Sequence, residues 1–252
     1  MYHWYYIWSP KYEIFHQILS NSLIDASGIV LHPIFAKQSY FTRTITDVHF
    51  FTGVTVKQFM IEKALREHKG EHIIVTDVDL VITDKNKIAD YLRSYEKNDI
   101  TCMRDNLETN TYNPGFTFVK STDDTRALYE KITQRIKNEN GIDITILNEE
   151  LASFPGTHGT FSLPEVIQSN MTHFDETLII QCLCSIGNSS DDILVEKLLT
   201  ISYFQDFTYF RHFITKPVLT QLIKTVHEMD PMNYISTWDL DLVDEYLKGA
   251  TV

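Results

Sequence analysis

Two acidic side chains stand two residues apart in HIIVTDVDLVITD, the stretch from 72 to 84: Asp77 and Asp79. Apolar residues lead into the first of them. In extended backbone, residues i and i+2 point to the same side, and open parallel sheets bind ligands beyond the carboxyl ends of their strands. Two carboxylates there make a hard oxygen site suited to Mg²⁺ or Mn²⁺. A cation so held bridges a diphosphate and offsets the charge that gathers on it as it departs. The plainer alternative is a pair of solvated loop aspartates, and the apolar strand directly before them favours the metal site. Such a site is expected to be exposed, so that Asp79→Ala would leave the fold intact.

Other residues offer polar contacts. Asn113 can hydrogen-bond hydroxyl groups, and Gly115 lets backbone come close to a ligand; Asn-Pro-Gly is equally a tight-turn signal. Asp105, just past an apolar run, can accept from hydroxyls, and Arg104 beside it can meet phosphate or form a surface ion pair. Lys57, expected near a helix start, faces either a diphosphate or, more ordinarily, water.

Positioning these side chains takes a framework. Tyr2–Trp8 is an aromatic run suited to a buried strand. Ser9 and Pro10 mark a helix start, hydroxyl as cap and proline in the first turn, with Ile14, Phe15, Ile18 and Leu19 on one apolar face. Gly28 breaks that helix, and Ile29–Phe35 reads as a strand interrupted by Pro33. Thr55 and Gln58 have capping-box spacing, which predicts a helix from residue 55 with Val56, Phe59, Met60, Ala64 and Leu65 buried and Gly70 ending it. A strand over 72–75 then runs into Asp77. A helix over 88–95, a strand over 100–103, a turn-like DNLETNTYNPG and a strand over 116–119 follow. Ser121 or Thr122 caps the next helix, which carries Ala127, Leu128, Ile132 and Ile136. This βαβαβ order predicts an α/β fold with a mostly parallel central sheet covered by helices on both faces. Amphipathic stretches from Ser190, over 216–229 and over 238–247 predict a helical C-terminal extension. The expected division is a catalytic domain over 1–190 and an extension over 191–252 packed on it. The aromatic stretch ISYFQDFTYFRHF reads as packing.

Charge narrows the partners. A net charge of −12 and a pI near 5.2 repel phosphate backbones and anionic lipid, which argues against nucleic acid or a polybasic membrane anchor. Cys102, Cys182 and Cys184 contain no CxxC pair and read as reduced core residues. The opening MYHWYYIWSP lacks the basic leader of a signal peptide and the length of a spanning helix. The expectation is a cytoplasmic protein, or a soluble domain of a larger chain, without a transmembrane segment.

IIVTDVDLVI resembles the strand and Asp-x-Asp motif of GT-A-fold glycosyltransferases, which use nucleotide-diphosphate sugars. ITCMRDN and then NPGFTFVKST are similar to that family's next strand and its Asn-x-Gly-Phe segment, and DITILN (143–148) resembles its Asp-Gln-x-x-x-Asn motif without the Gln. The likeness covers roughly residues 2–175. It implies a GT-A-like, Rossmann-like nucleotide-binding half and transfer of a sugar, by default from a UDP-sugar, to a hydroxyl of a carbohydrate or glycoconjugate. It implies a metal held by Asp77 and Asp79, with His173 of MTHFDET as third ligand; the Gly and Lys that usually follow such a histidine are missing. It places the nucleotide base by Trp8 and Ser9. Asp143 then orients the acceptor or steadies a sugar cation, with helix capping as its alternative, and Asn113 and Gly115 line the pocket.

A haloacid-dehalogenase-like phosphatase is the main rival, with Asp77 as nucleophile and IGNSSDDI as the distal acidic motif. In that family the Asp-x-Asp lies on the first core strand, whereas two strand–helix units precede it here. A sugar-1-phosphate nucleotidylyltransferase should carry a Gly-rich loop where SPKYEIF stands. A non-enzymatic carbohydrate-binding protein leaves the acidic pair unexplained.

Overall fold

The aromatic run that opens the chain is buried from both sides of a sheet. In the computed structural model, which describes residues 1–37, 48–105, 111–163, 165–168, 176–182 and 197, it forms β1 (Tyr2–Trp8). Tyr2, Trp4 and Tyr6 enter one core and Tyr5 and Ile7 the other. A strand with two dry faces has no use for alternating polar residues.

β2 (Ile29–Phe35) and β3 (His72–Thr76) flank β1 and run parallel to it. Beyond β3 lie β6 (Tyr112–Lys120), β5 (Ile100–Arg104) and β7 (His158–Thr160), giving the order β2-β1-β3-β6-β5-β7. Only β6 is reversed: it is antiparallel to both neighbours, while β5 and β7 are parallel. The central sheet is therefore mostly parallel, as the strand–helix alternation requires. α1 (Glu13–Ser22) and α3 (Ile88–Arg93) cover one face; α2 (Val48–Glu67), α4 (Asp123–Glu139) and α5 (Asp143–Leu151) cover the other. A second sheet, β4 (Leu80–Ile82), β9 (Ile179–Gln181) and β8 (Val166–Gln168) in that order, packs into the α1 side.

Several local expectations are corrected. Ser9 caps nothing: a 3-10 turn over Pro10–Tyr12 comes first, and α1 starts only at Glu13. That helix ends at Ser22, and Gly28, at φ +78°, shapes the entry to β2 instead. Pro33 does not interrupt β2, because an edge strand tolerates a missing outward N–H. α2 reaches back to Val48, so the Thr55/Gln58 spacing marks no helix start; burial of Val54 with Ile61 and Leu65 carries the helix through that point. Phe59 is 48% exposed, with the Lys137 ammonium 5.3 Å from its ring centroid. Asn113-Pro114-Gly115 is no free turn but part of β6, its irregularity absorbed as a register shift between Cys102 and Met103 of β5. Thr122 does cap α4, reciprocally with the side chain of Thr125. Cys102 and Cys182 are buried free thiols, and burial pushes Cys102 up to about 12. The expected C-terminal extension lies outside the described residues, except for the helical Lys197.

Candidate active site

Asp77 and Asp79 sit in the three-residue link between the two sheets, after β3 and before β4. Backbone bonds pin both ends of the link: Asp77 N–H donates to the Gly115 carbonyl at 2.9 Å, and Cys182 N–H donates to the Asp79 carbonyl at 2.9 Å. The local apolar strands thus deliver two carboxylates to a sheet end and fix them from both sides.

Both carboxylates are engaged, although the Asp77 side chain keeps 36% exposure. One Asp77 oxygen accepts from the Lys57 ammonium at 2.7 Å and the other from the Gln181 amide at 2.8 Å. Asp79 is buried, at 3% exposure, and ion-paired with Lys197. The expectation of an exposed Asp79 is corrected: its removal would break an ion pair with a mostly buried ammonium. Burial pushes the Asp79 carboxyl up; Lys197 opposes that, and the charge of Asp77 adds to it.

Lys57 is the centre of the cluster. It lies in mid-helix, not at a helix start, and its side chain is only 12% exposed. Besides Asp77 it donates to the Pro114 carbonyl at 3.2 Å and lies 3.6 Å from Asp143. Burial by itself would depress the lysine, but the two carboxylates outweigh it and hold the ammonium above its ordinary range. Asp143, the first residue of α5, accepts from the Ile144 N–H at 3.0 Å. Burial raises its carboxyl, with Lys57 pulling the other way. Among the described residues, three carboxylates therefore share two ammonium groups beside a sheet end.

Gln181, within the largely apolar run IIQCLCSI, is a site residue that periodicity does not single out. A lone amide inside such a run is itself a signal, since buried polar groups need partners. Its Nε2 is used by Asp77, while its Oε1 is buried with no hydrogen-bond partner among the described residues. Gly115 makes the contact possible: a Cβ there would lie 2.0 Å from Gln181 Nε2. The need for glycine is thus side-chain passage, beside any approach of a ligand.

The NPG segment folds on itself. Asn113 is buried, its Oδ1 accepting from the Gly115 N–H at 2.7 Å and its Nδ2 reaching Asp105 at 3.3 Å. Asp105 also receives Gln168 Nε2 at 3.4 Å. Asn148 donates to the Tyr112 carbonyl and accepts from the Tyr112 N–H, both at 2.8 Å, and so ties α5 to the start of β6. Tyr6 pairs with Thr76 across β1 and β3, which puts Trp8 and Ser9 at the same sheet end as Asp77. One face of Trp8 stacks on His16 at 4.2 Å, and Ser9 Oγ is buried without a partner among the described residues. His173 lies outside the described residues. The structure brings together Lys57, Asp77, Asp79, Asp143 and Gly115, with Asn113 and Asp105 one contact further out. Asp77 follows β3, the third strand in chain order, and not the first strand as the phosphatase reading requires.

No helix of the described residues is long and apolar enough to cross a membrane. A comparison with curated proteins finds no match. Among solved structures, a glycosyltransferase involved in glycosylating the major capsid of PBCV-1 superposes with a TM-score of 0.55 at 12% identity, over 74% of this chain and 96% of that one. The glycosyltransferase GlyE of Streptococcus pneumoniae TIGR4 superposes at 0.52 and 11% identity, over 73% of this chain and 56% of that one. At such identities the likeness is one of fold, the GT-A-like sheet with its helices. Residues 35–216, more than half of the chain, match the family described as nucleotide-diphospho-sugar transferase, and the chain belongs to that family.

Proposed function

We propose that this transferase moves a sugar from a nucleoside-diphosphate donor, by default a UDP-sugar, to a hydroxyl of a carbohydrate or glycoconjugate acceptor, with a divalent ion at Asp77 and Asp79. The observation that carries the reading is the charge-rich cluster of Lys57, Asp77, Asp79 and Asp143 at the end of a parallel strand, where such sheets take nucleotides. The donor set fits Mg²⁺ or Mn²⁺: two carboxylates and Gln181 Oε1, unpartnered among the described residues, are all hard oxygens. Gln181, hydrogen-bonded to Asp77, brings its amide oxygen to that donor set, with His173 proposed as a further ligand. When bound, such an ion supplies neutralisation of the diphosphate.

The protein's own residues supply orientation and charge. Lys57, held by two carboxylates and the Pro114 carbonyl, is a fixed cation whose position is set before substrate arrives, which lowers the reorganisation needed at reaction. Asp143, partly desolvated beside it, is suited to accept from a sugar hydroxyl or to face a developing positive charge. Asp105 presents a carboxylate to sugar hydroxyls. Asn113, whose acceptor is spent on Gly115, positions that carboxylate and the β6 backbone. Trp8 and Ser9 lie on the side proposed for the nucleotide base.

The test is release of nucleoside diphosphate from a panel of nucleotide sugars with Mn²⁺ or Mg²⁺, before and after chelation, in the wild type and in Asp77→Asn. Release that needs both the metal and Asp77 is expected. Full activity after chelation and in Asp77→Asn would remove the metal from the mechanism. Release of inorganic phosphate from a monoester, with none of nucleoside diphosphate from a sugar donor, would overturn the transferase reading.

A further inference from the structure

At the other end of the sheet three histidines meet. His3 and Tyr5 share one face of β1, Tyr5 is in register with His32 of β2, and His68 follows the last turn of α2. α2 leads directly into β3, so its C-terminal end comes back over the beginning of the parallel strands. His3 lies near the start of β1 and Trp8 at its end; five residues at about 3.3 Å each put the histidines roughly 16 Å from the carboxylate end.

One ring nitrogen from each of His3, His32 and His68 lies within 4.8 Å of the others. Nδ1 of His3 and Nε2 of His32 are 2.8 Å apart, and the rings of His3 and His68 stack at 3.8 Å. Glu71 Oε2 lies 3.1 Å from Nδ1 of His68, and the Tyr5 hydroxyl lies 2.7 Å from its Nε2. An ionised Glu71 can only accept, so it fixes the proton on Nδ1 and leaves Nε2 as a lone pair. A carboxylate behind an imidazole in this way is the usual support of a metal-ligating histidine.

We propose that His3, His32 and His68 bind a borderline divalent metal ion, Zn²⁺ by class, tying the start of β1 and the edge strand β2 to the end of α2. Zinc–nitrogen bonds of about 2.0–2.1 Å in a tetrahedral shell set neighbouring nitrogens roughly 3.3 Å apart. One nitrogen of each ring lies within 4.8 Å of the others, so the shell forms once the proton shared by His3 and His32 leaves, the His3 and His68 rings turn out of their stack and the Tyr5 hydroxyl releases His68 Nε2. Three imidazoles select zinc or cobalt over magnesium, whereas the oxygen cluster at Asp77 does the reverse. The two sites are therefore separable by metal.

The experiment uses the full chain without a histidine tag, stripped by chelation and titrated with Co²⁺ and, in competition with a chromophoric chelator, with Zn²⁺. Expected are the visible absorption of nitrogen-ligated tetrahedral Co²⁺, one tight equivalent of Zn²⁺ and a rise in melting temperature. His32→Gln and His68→Gln should each weaken Zn²⁺ at least about tenfold, while Asp77→Asn leaves it unchanged. Should one substitution prevent folding, the other decides. Absence of the Co²⁺ band, Zn²⁺ binding undiminished in the folded histidine variants, or binding that follows Asp77 would overturn the proposal.

Discussion

Gly115→Ala isolates a single contact in the cluster. A methyl group at this position falls 2.0 Å from Gln181 Nε2 and 2.5 Å from its Cδ, inside the 3.0 Å that real Cβ contacts keep. Gly115 is not among the positive-φ glycines, so alanine brings no backbone strain and the strand can stay in place. What must move is the end of Gln181, and its 2.8 Å bond to Asp77 is lost. A hydrogen bond to a charged group is worth about 1.5–3 kcal/mol, which converts to roughly 10- to 150-fold in kcat/KM if Asp77 must be held for turnover. Stability should fall by about 0.5–2.6 kcal/mol, the loss of that bond less the roughly 0.4–1 kcal/mol from alanine's smaller unfolded-state entropy. The assay is nucleoside-diphosphate release by Gly115→Ala, Gln181→Ala and the double variant. If the methyl acts through Gln181, adding it to Gln181→Ala costs nothing further. Equal additional loss in that background, or a fully active Gly115→Ala, refutes the argument.

Three further outcomes follow from the same structure. Lys57→Met leaves Asp77 and Asp143 facing each other without their cation; unfolding by urea should show a loss of about 3 kcal/mol, the low end for a broken buried pair because Asp77 keeps some contact with water, and turnover should disappear. Thr122→Ala removes the half of the α4 cap in which the Thr122 hydroxyl accepts from the Thr125 N–H, leaving the Thr122 N–H on Thr125 Oγ1, and should cost about 1 kcal/mol, read as a lower denaturation midpoint at unchanged slope. His16, stacked on Trp8, and His72, stacked on Phe118, are held by burial below the ordinary 6.5. The unfolded chain then binds protons that the folded one refuses, so stability is full above about pH 6.5 and falls as pH drops through the depressed folded values. The slope is at most about 1.4 kcal/mol per pH unit for each histidine, and a urea series on His72→Gln should be flatter than the wild type; an unchanged slope would remove His72 from the effect.

Much of the framework was legible because it depends on local pattern. β1 and β3 announce themselves as apolar runs too dense for a half-exposed strand, and α4 carries both its cap and its buried stripe in plain order. The ends of elements were less so. The start of α2 and the fate of Asn113-Pro114-Gly115 depend on what packs beside them: a core that takes in Val54, and a partner strand that absorbs an irregularity. Turn propensity is a weak force beside a row of ladder hydrogen bonds.

The amino-acid order by itself determined that two carboxylates would stand at the end of a buried strand in an α/β sheet, because periodicity and spacing are properties of neighbouring residues. Only the tertiary structure decided what meets them. Lys57 reaches Asp77 from 20 positions away and Gln181 from 104, and one of the two aspartates is sealed from water by Lys197. A lysine on a helix or an amide in an apolar strand looks the same in sequence whether it faces solvent or a carboxylate. The difference is made by which elements the sheet order brings side by side, and that is a property of the packed whole.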